Sequence, residues 1–186
     1  MMKMAWLVAG LLLLGASGAA ALEVKGVQLA PTVAVRGETL RLNGYGIREK
    51  FFFDIYVGSL YTAVPVKTAD EALAAPGAKL IRMNFLYHKV DREKIVEAFA
   101  EGFAKNSPPL AESAAAKTFL GWFTRDFVRG DVVDLELDGD GTVVARQNGA
   151  VLGSLGSPEL ARGVLLIYLG AKPADADLKA GMLGHG

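Results

Sequence analysis

The chain of 186 residues contains no cysteine. That excludes a disulfide framework, a thiol nucleophile and cysteine-bound zinc, and leaves an oxidising compartment open. Histidine is nearly as scarce, with only His88 and His185. His185 stands beside the terminal glycine, where side chains are expected to be loosely held. His88 follows Tyr87 at the end of an apolar run and reads as an exposed loop residue. A histidine-based zinc or iron site cannot be assembled from this pair, and no metal is expected. Net charge is absent too: 20 basic and 20 acidic residues cancel, without a basic block. Nucleic acid is therefore not an expected partner. No serine sits in a G-x-S-x-G elbow, so an α/β-hydrolase triad has no support.

Two near-motifs fail on inspection. Gly44-Tyr45-Gly46 lacks the third glycine of a dinucleotide fingerprint and no strand-loop-helix unit surrounds it, so no nucleotide cofactor is expected. The glycine pair instead signals a bulge or a close approach by another group. Asp134, Glu136 and Asp138, followed by Gly139, begin like a calcium loop. The twelfth place is Ala145, where a bidentate glutamate is required, so a hairpin turn is expected there.

The one long apolar run is at the N-terminus. Lys3 supplies a positive start, Ala5 to Leu14 an apolar core, and Ala19-Ala20-Ala21 fits the A-x-A cleavage rule. The core is shorter than the roughly 20 residues of a spanning helix. A signal peptide over 1–21 is expected, with a mature chain from Leu22, no membrane span after its removal, and export to the periplasm if the source is bacterial.

What the chain has in abundance is strand-type sequence. Asn43 to Thr62 is its longest such run, rich in aromatic and β-branched residues. A single strand from Leu40 to Thr62 would far exceed the roughly 3–10 residues of ordinary strands, so a hairpin or bulge is expected near Arg48-Glu49-Lys50. On one straight strand Arg48 and Tyr56 would lie roughly 26 Å apart, at about 3.3 Å per residue. Folded back, they would line one cleft. Arg48 is the charged residue of interest, because a guanidinium fork matches a carboxylate or phenolate and stays ionised when partly buried.

Around this stretch, Glu23 to Leu29 reads as one strand, Thr32 to Val35 as a short one and Lys79 to Tyr87 as another, its Ile81, Met83 and Phe85 sharing a face. Thr68 to Ala75 reads as a short helix. Asp91 is placed to cap a helix whose Ile95, Phe99 and Phe103 form an apolar stripe. Leu110 to Phe127 reads as a second helical region, its aromatic cluster serving the core. From Gly130 the period returns to two: strands at Val132 to Leu137, Thr142 to Gln147 and Ala150 to Leu155, with Asn148-Gly149 as a two-residue turn. Pro158 to Tyr168 and Ala176 to Leu183 are the last helices. Grouped strands and blocks of helices give an α+β fold with a mainly antiparallel sheet, in one domain over 22–186.

Gly44-Tyr45-Gly46-Ile47-Arg48, Lys50-Phe51-Phe52, Tyr56-Val57-Gly58-Ser59-Leu60-Tyr61 and the later Arg129-Gly130-Asp131, Asn148-Gly149 and Tyr168-Leu169-Gly170-Ala171-Lys172-Pro173 resemble the exported bacterial branch of the chalcone isomerase-like family, in order and over nearly the whole mature chain. The resemblance implies an open-faced β-sandwich, a large antiparallel sheet covered on one side by helices with the ligand cleft between. In plant isomerases the arginine matching Arg48 stabilises a developing phenolate. In plant fatty-acid-binding relatives it holds a carboxylate with a tyrosine, which Tyr56 resembles. With Phe52 and Tyr87, these make the expected ligand-binding set. The place of the isomerase threonine is taken by Tyr56, and a tyrosine and asparagine of the isomerases correspond to Asp91 and Ala98. The tail reads Leu165-Leu166-Ile167, without a clear hydroxyl. The expected task is therefore non-catalytic binding of a small apolar acid such as a fatty acid. The alternatives are an intramolecular lyase acting on a chalcone-like phenol, with Arg48 as its catalytic residue, and an envelope protein with a vestigial cleft and unknown protein partners.

Overall fold

A seven-stranded, wholly antiparallel sheet carries the molecule, curled into a half-barrel with helices packed against one face. The computed structural model describes residues 21–185. The expected signal peptide lies, but for Ala21, outside the described residues. Among these, no helix is long and apolar enough to cross a membrane.

The N-terminal segment is a hairpin, β1 (Leu22–Val24) against β2 (Val27–Leu29), rather than one strand. Lys25 and Gly26 both take positive φ and turn the chain. Then come β3 (Thr32–Val35), β4 (Glu38–Lys50) and β5 (Phe53–Thr62), each paired with the next. The expected break in the central stretch takes both of its forms. The register slips between Arg48 and Glu49, and the chain reverses two residues later, at Phe51-Phe52. A second slip between Leu42 and Gly44 bends β4 further.

The turn at Phe51-Phe52 is unusual. Both residues have positive φ, 50° and 69°. Two-residue turns of this hand favour Asn-Gly or Asp-Gly, because a side chain at left-handed φ meets the backbone. The turns at Lys25-Gly26, Arg36-Gly37 and Asn148-Gly149 each put glycine second. Here two aromatics stand instead, at a cost on the order of 1 kcal/mol or more for each.

After α1 (Ala69–Ala74), capped by Thr68, β6 (Lys79–Phe85) pairs with β5. Ile81, Met83 and Phe85 turn into the core as their alternation requires. A two-residue ladder joins β7 (Lys89–Val90) to β8 (Phe127–Val128), closing the segment between them. That segment holds α2 (Arg92–Asn106), α3 (Pro108–Ala111) and α4 (Ala114–Gly121). The second helical region is thus two short helices, because Ser113 caps a new one by accepting from the Ala116 N–H at 3.1 Å. Asp91 occupies the start of α2 without making the cap hydrogen bond. Its carboxylate pairs with Lys89, and Asp126 accepts from the Arg92 N–H instead.

The sheet ends in the meander β9 (Val132–Leu137), β10 (Thr142–Gln147) and β11 (Ala150–Gly156), with β9 inserted beside β6. The acids of the rejected calcium loop each face an arginine: Asp134 takes a two-pronged contact from Arg82 at 2.7 and 2.8 Å, Glu136 pairs with Arg146 and Asp138 with Arg36. Helices α5 (Pro158–Leu169) and α6 (Ala176–Met182) complete the cover. The aromatic cluster is core: Phe99, Phe119, Phe123 and Phe127 are buried and pack in series, edge-on or tilted. His185 is not loose; its Nε2 lies 2.8 Å from the Lys67 carbonyl oxygen.

Candidate functional site

A cavity of about 550 Å³ lies between the inner face of β4 to β6 and the first half of α2, well within the roughly 300–1,000 Å³ range of small-molecule sites. Its walls follow from two periodicities. Tyr56 and Met83 point inward from the sheet, and Ile95, Ala98 and Phe99 point back from the apolar stripe of α2. Tyr87 lines the cavity further out, its ring centroid 5.3 Å from that of Phe53.

Arg48 lines the same space. It sits opposite Tyr56 in the ladder, so the hairpin joins what a straight strand would have separated. Its Nη1 donates to the Ala174 carbonyl, in the loop that leads into α6. That loop is itself held: Asp175 accepts from the N–H groups of Asp177 and Leu178 at 3.0 and 2.9 Å. One carbonyl occupies a single lobe of a guanidinium with five N–H donors, which leaves others for a ligand.

The charges around the mouth sort by pairing. Three acids line the cavity, and each has a lysine partner: Asp91 with Lys89, Glu97 with Lys94, Glu101 with Lys105. Among the described residues, Arg48 and Lys50 are in no ion pair, so the cavity keeps a positive end. The field of both reaches Glu101, whose carboxyl is held below the usual range first by its Lys105 hydrogen bond and further by these two cations.

Two hydroxyls stand by that positive end. Tyr56 is buried, and burial pushes its phenol up to about 12, with Arg48 pulling in the opposite direction. Tyr168, from α5, is equally enclosed; burial raises its phenol well above the ordinary value, and Tyr56 adds to the rise. The Tyr168 hydroxyl donates to Met83 Sδ at 3.1 Å. Both phenols are neutral donors at any ordinary pH. A stability consequence follows. Unfolded Tyr56 ionises near its ordinary 10 and folded Tyr56 near 12. The contribution is thus complete below pH 10 and declines as pH rises from 10 toward 12, by up to about 2–3 kcal/mol. Denaturant midpoints measured across that window should fall, and fall less in Tyr56→Phe.

Of the four residues expected to meet ligand, the structure brings together Arg48, Tyr56 and Tyr87. Phe52 stands fully exposed at the hairpin tip, and its neighbour Phe51 lines the cavity mouth instead. The positions corresponding to the isomerase tyrosine and asparagine, Asp91 and Ala98, do line the cavity, without those side chains. Tyr168 is the residue that sequence reasoning passed over. The stretch Leu165-Leu166-Ile167 has no hydroxyl, yet Tyr168 is the very next residue. The signal was available: Leu160, Val164 and Tyr168 follow one another at helical i, i+4 spacing, all buried.

A family profile described as chalcone isomerase-like matches residues 21–184. Among solved structures, the chain is similar to the crystal structure of a fatty-acid binding protein from Arabidopsis thaliana, with a TM-score of 0.66 at 19% identity, covering 86% of this chain and 92% of that one. The curated proteins contain no significant match.

Proposed function

Since the chain belongs to the chalcone isomerase-like family, we propose that it is an exported, non-catalytic binder of a small apolar carboxylic acid, with a fatty acid as the leading ligand class. The observation that carries this is the guanidinium of Arg48, in no ion pair among the described residues, at the wall of a cavity that combines Ile, Phe, Met and Tyr side chains with lysines and acids from its mouth. A carboxylate meeting Arg48 and Tyr56 would accept a charge-assisted and a phenolic hydrogen bond, while the Tyr168 hydroxyl beside them donates to Met83 Sδ. Its alkyl chain would lie between the sheet and α2, each buried CH₂ contributing about 0.8 kcal/mol. The fatty-acid binding activity named for the Arabidopsis protein supports this reading by likeness of fold. The size of the cavity favours a working pocket over a vestigial cleft.

The test is lipid extraction and mass spectrometry of the purified protein. Fatty acids recovered in stoichiometric amount are the expected result. Recovery of phenols in their place, with flavanone formation faster than the spontaneous reaction, would replace the binder with an isomerase that uses Arg48 to stabilise an oxyanion.

A further inference from the structure

We propose that the Phe51-Phe52 hairpin tip is a bilayer anchor that seats the mouth of the cavity on a membrane surface containing anionic lipid. Three consecutive phenylalanines are left in water here: Phe51 is 79% exposed, Phe52 103% and Phe53 54%. Elsewhere the chain buries its large rings, as at Phe85, Phe103, Phe119 and Phe127. Folding gives no reason for aromatics at the tip. The other three two-residue turns of this hand place glycine second, and this turn keeps two bulky residues at positive φ. They are disfavoured by the backbone and stay largely exposed rather than joining the core, which points to a use beyond folding.

Position and charge identify the occupant. Phe51 belongs to both the tip and the cavity wall, so a surface that covers the tip also meets the opening. The rim is basic and aromatic. The Lys50 ammonium lies 5.8 Å from the centroid of the Phe51 ring, the His88 ring packs at a tilt with its centroid 4.3 Å from that of Tyr87, and the Arg129 guanidinium donates to the Leu86 carbonyl at 2.8 Å. Nearby Asp54 is paired with Lys25, and Asp91 and Asp126 share Lys89; Glu49 and Asp175, whose carboxylate accepts from the Glu49 N–H at 3.4 Å, are acids beside the tip in no ion pair among the described residues. Apolar rings flanked by cations enter the headgroup boundary of an anionic leaflet. A projecting two-residue turn suits that medium better than a second copy of the chain, since a stable protein interface buries roughly 1,200–2,000 Å². The inference deepens the proposed function by giving an apolar acid a route into the cavity, but its test needs no ligand, so the two can fail separately.

The experiment is co-sedimentation of the chain from Leu22, which holds every described element, with phosphatidylcholine vesicles with and without phosphatidylglycerol. Binding is expected only with the anionic lipid. The deciding variant is Phe51→Asn with Phe52→Gly, which installs the pair this turn prefers. It should melt several degrees higher than the parent while its vesicle affinity falls at least about tenfold, since burial of each Phe ring is lost. In a second variant, Phe52→Trp, the emission added to that of the parent should shift blue on vesicle binding and be quenched by lipids brominated in the acyl chain. Vesicle binding unchanged by the Asn-Gly pair, or no binding by the parent, overturns the proposal. So does concentration-dependent dimerisation abolished by that pair in a protein that ignores vesicles, which would make the tip a self-association surface.

Discussion

Replacing Arg48 with alanine is expected to weaken fatty-acid binding by about ten- to a hundredfold, corresponding to the roughly 1.5–3 kcal/mol of a hydrogen bond to a charged group. Arg48 is chosen because, of the two cavity cations in no ion pair among the described residues, Arg48 and Lys50, it is the one that stands opposite Tyr56 and is anchored at the Ala174 carbonyl. Lys89, Lys94 and Lys105 answer Asp91, Glu97 and Glu101. Two controls separate charge recognition from packing. The alcohol of the same chain length should bind parent and variant alike. Arg48→Lys should recover only part of the loss, because an ammonium keeps the charge but lacks the planar fork that can hold the Ala174 carbonyl and a carboxylate together. Acid and alcohol losing affinity equally would show that Arg48 supports the wall and recognises nothing.

The largest stability effect is expected from Gly44→Ala. A methyl group there would fall on the Gly181 carbonyl oxygen and lie 2.7 Å from the Met182 carbonyl oxygen and 2.9 Å from the Gly184 nitrogen. All three are backbone atoms, which cannot rotate away. Gly46 is built the same way, 2.8 Å from the Leu178 Cα, and Gly181 in turn has no room against the Tyr45 carbonyl. Helix α6 thus lies directly on the backbone of β4. Overpacking costs typically about 1–3 kcal/mol, and here the upper end or beyond is expected because no side chain can yield. At about 2–4 °C per kcal/mol for a chain of this size, Tm should fall by about 6–12 °C. Gly58→Ala is the internal comparison: its neighbours at 2.8 Å are the tips of Leu178 and Met182, which can move, so its loss should be clearly smaller. Equal losses would mean that α6 is not pinned at Gly44. The same displacement should weaken ligand binding, because α6 begins beside the carbonyl that holds Arg48.

The two predictions rest on features of differing legibility. Period-two alternation in β6 and period-four spacing in α2 both placed their inward residues correctly, because each depends only on local geometry and an apolar interior. The glycine pair also announced itself as a bulge or a close approach, and it is both. The hairpin was legible but its apex was not: turn chemistry pointed to the charged Arg48-Glu49-Lys50, whereas the chain turns on two phenylalanines that no local preference would select. The helical region from Leu110 reads as continuous because alanine-rich sequence hides the break between α3 and α4 that one serine cap creates.

By itself, the sequence determined the class of fold, the succession of its main strands and helices, the inward faces of β6 and α2, and the candidacy of Arg48 and Tyr56 for one cleft. These follow from short-range patterns and from the kinship its motifs display. Tertiary structure alone decided that Tyr168 joins them, that three lysines pair with the acids of the mouth while Arg48 is in no ion pair among the described residues, and that the aromatic tip stands in water beside the opening. Such facts depend on which segments meet across long loops, and a contact between residues 48 and 174, or 83 and 168, leaves no periodic trace in either partner.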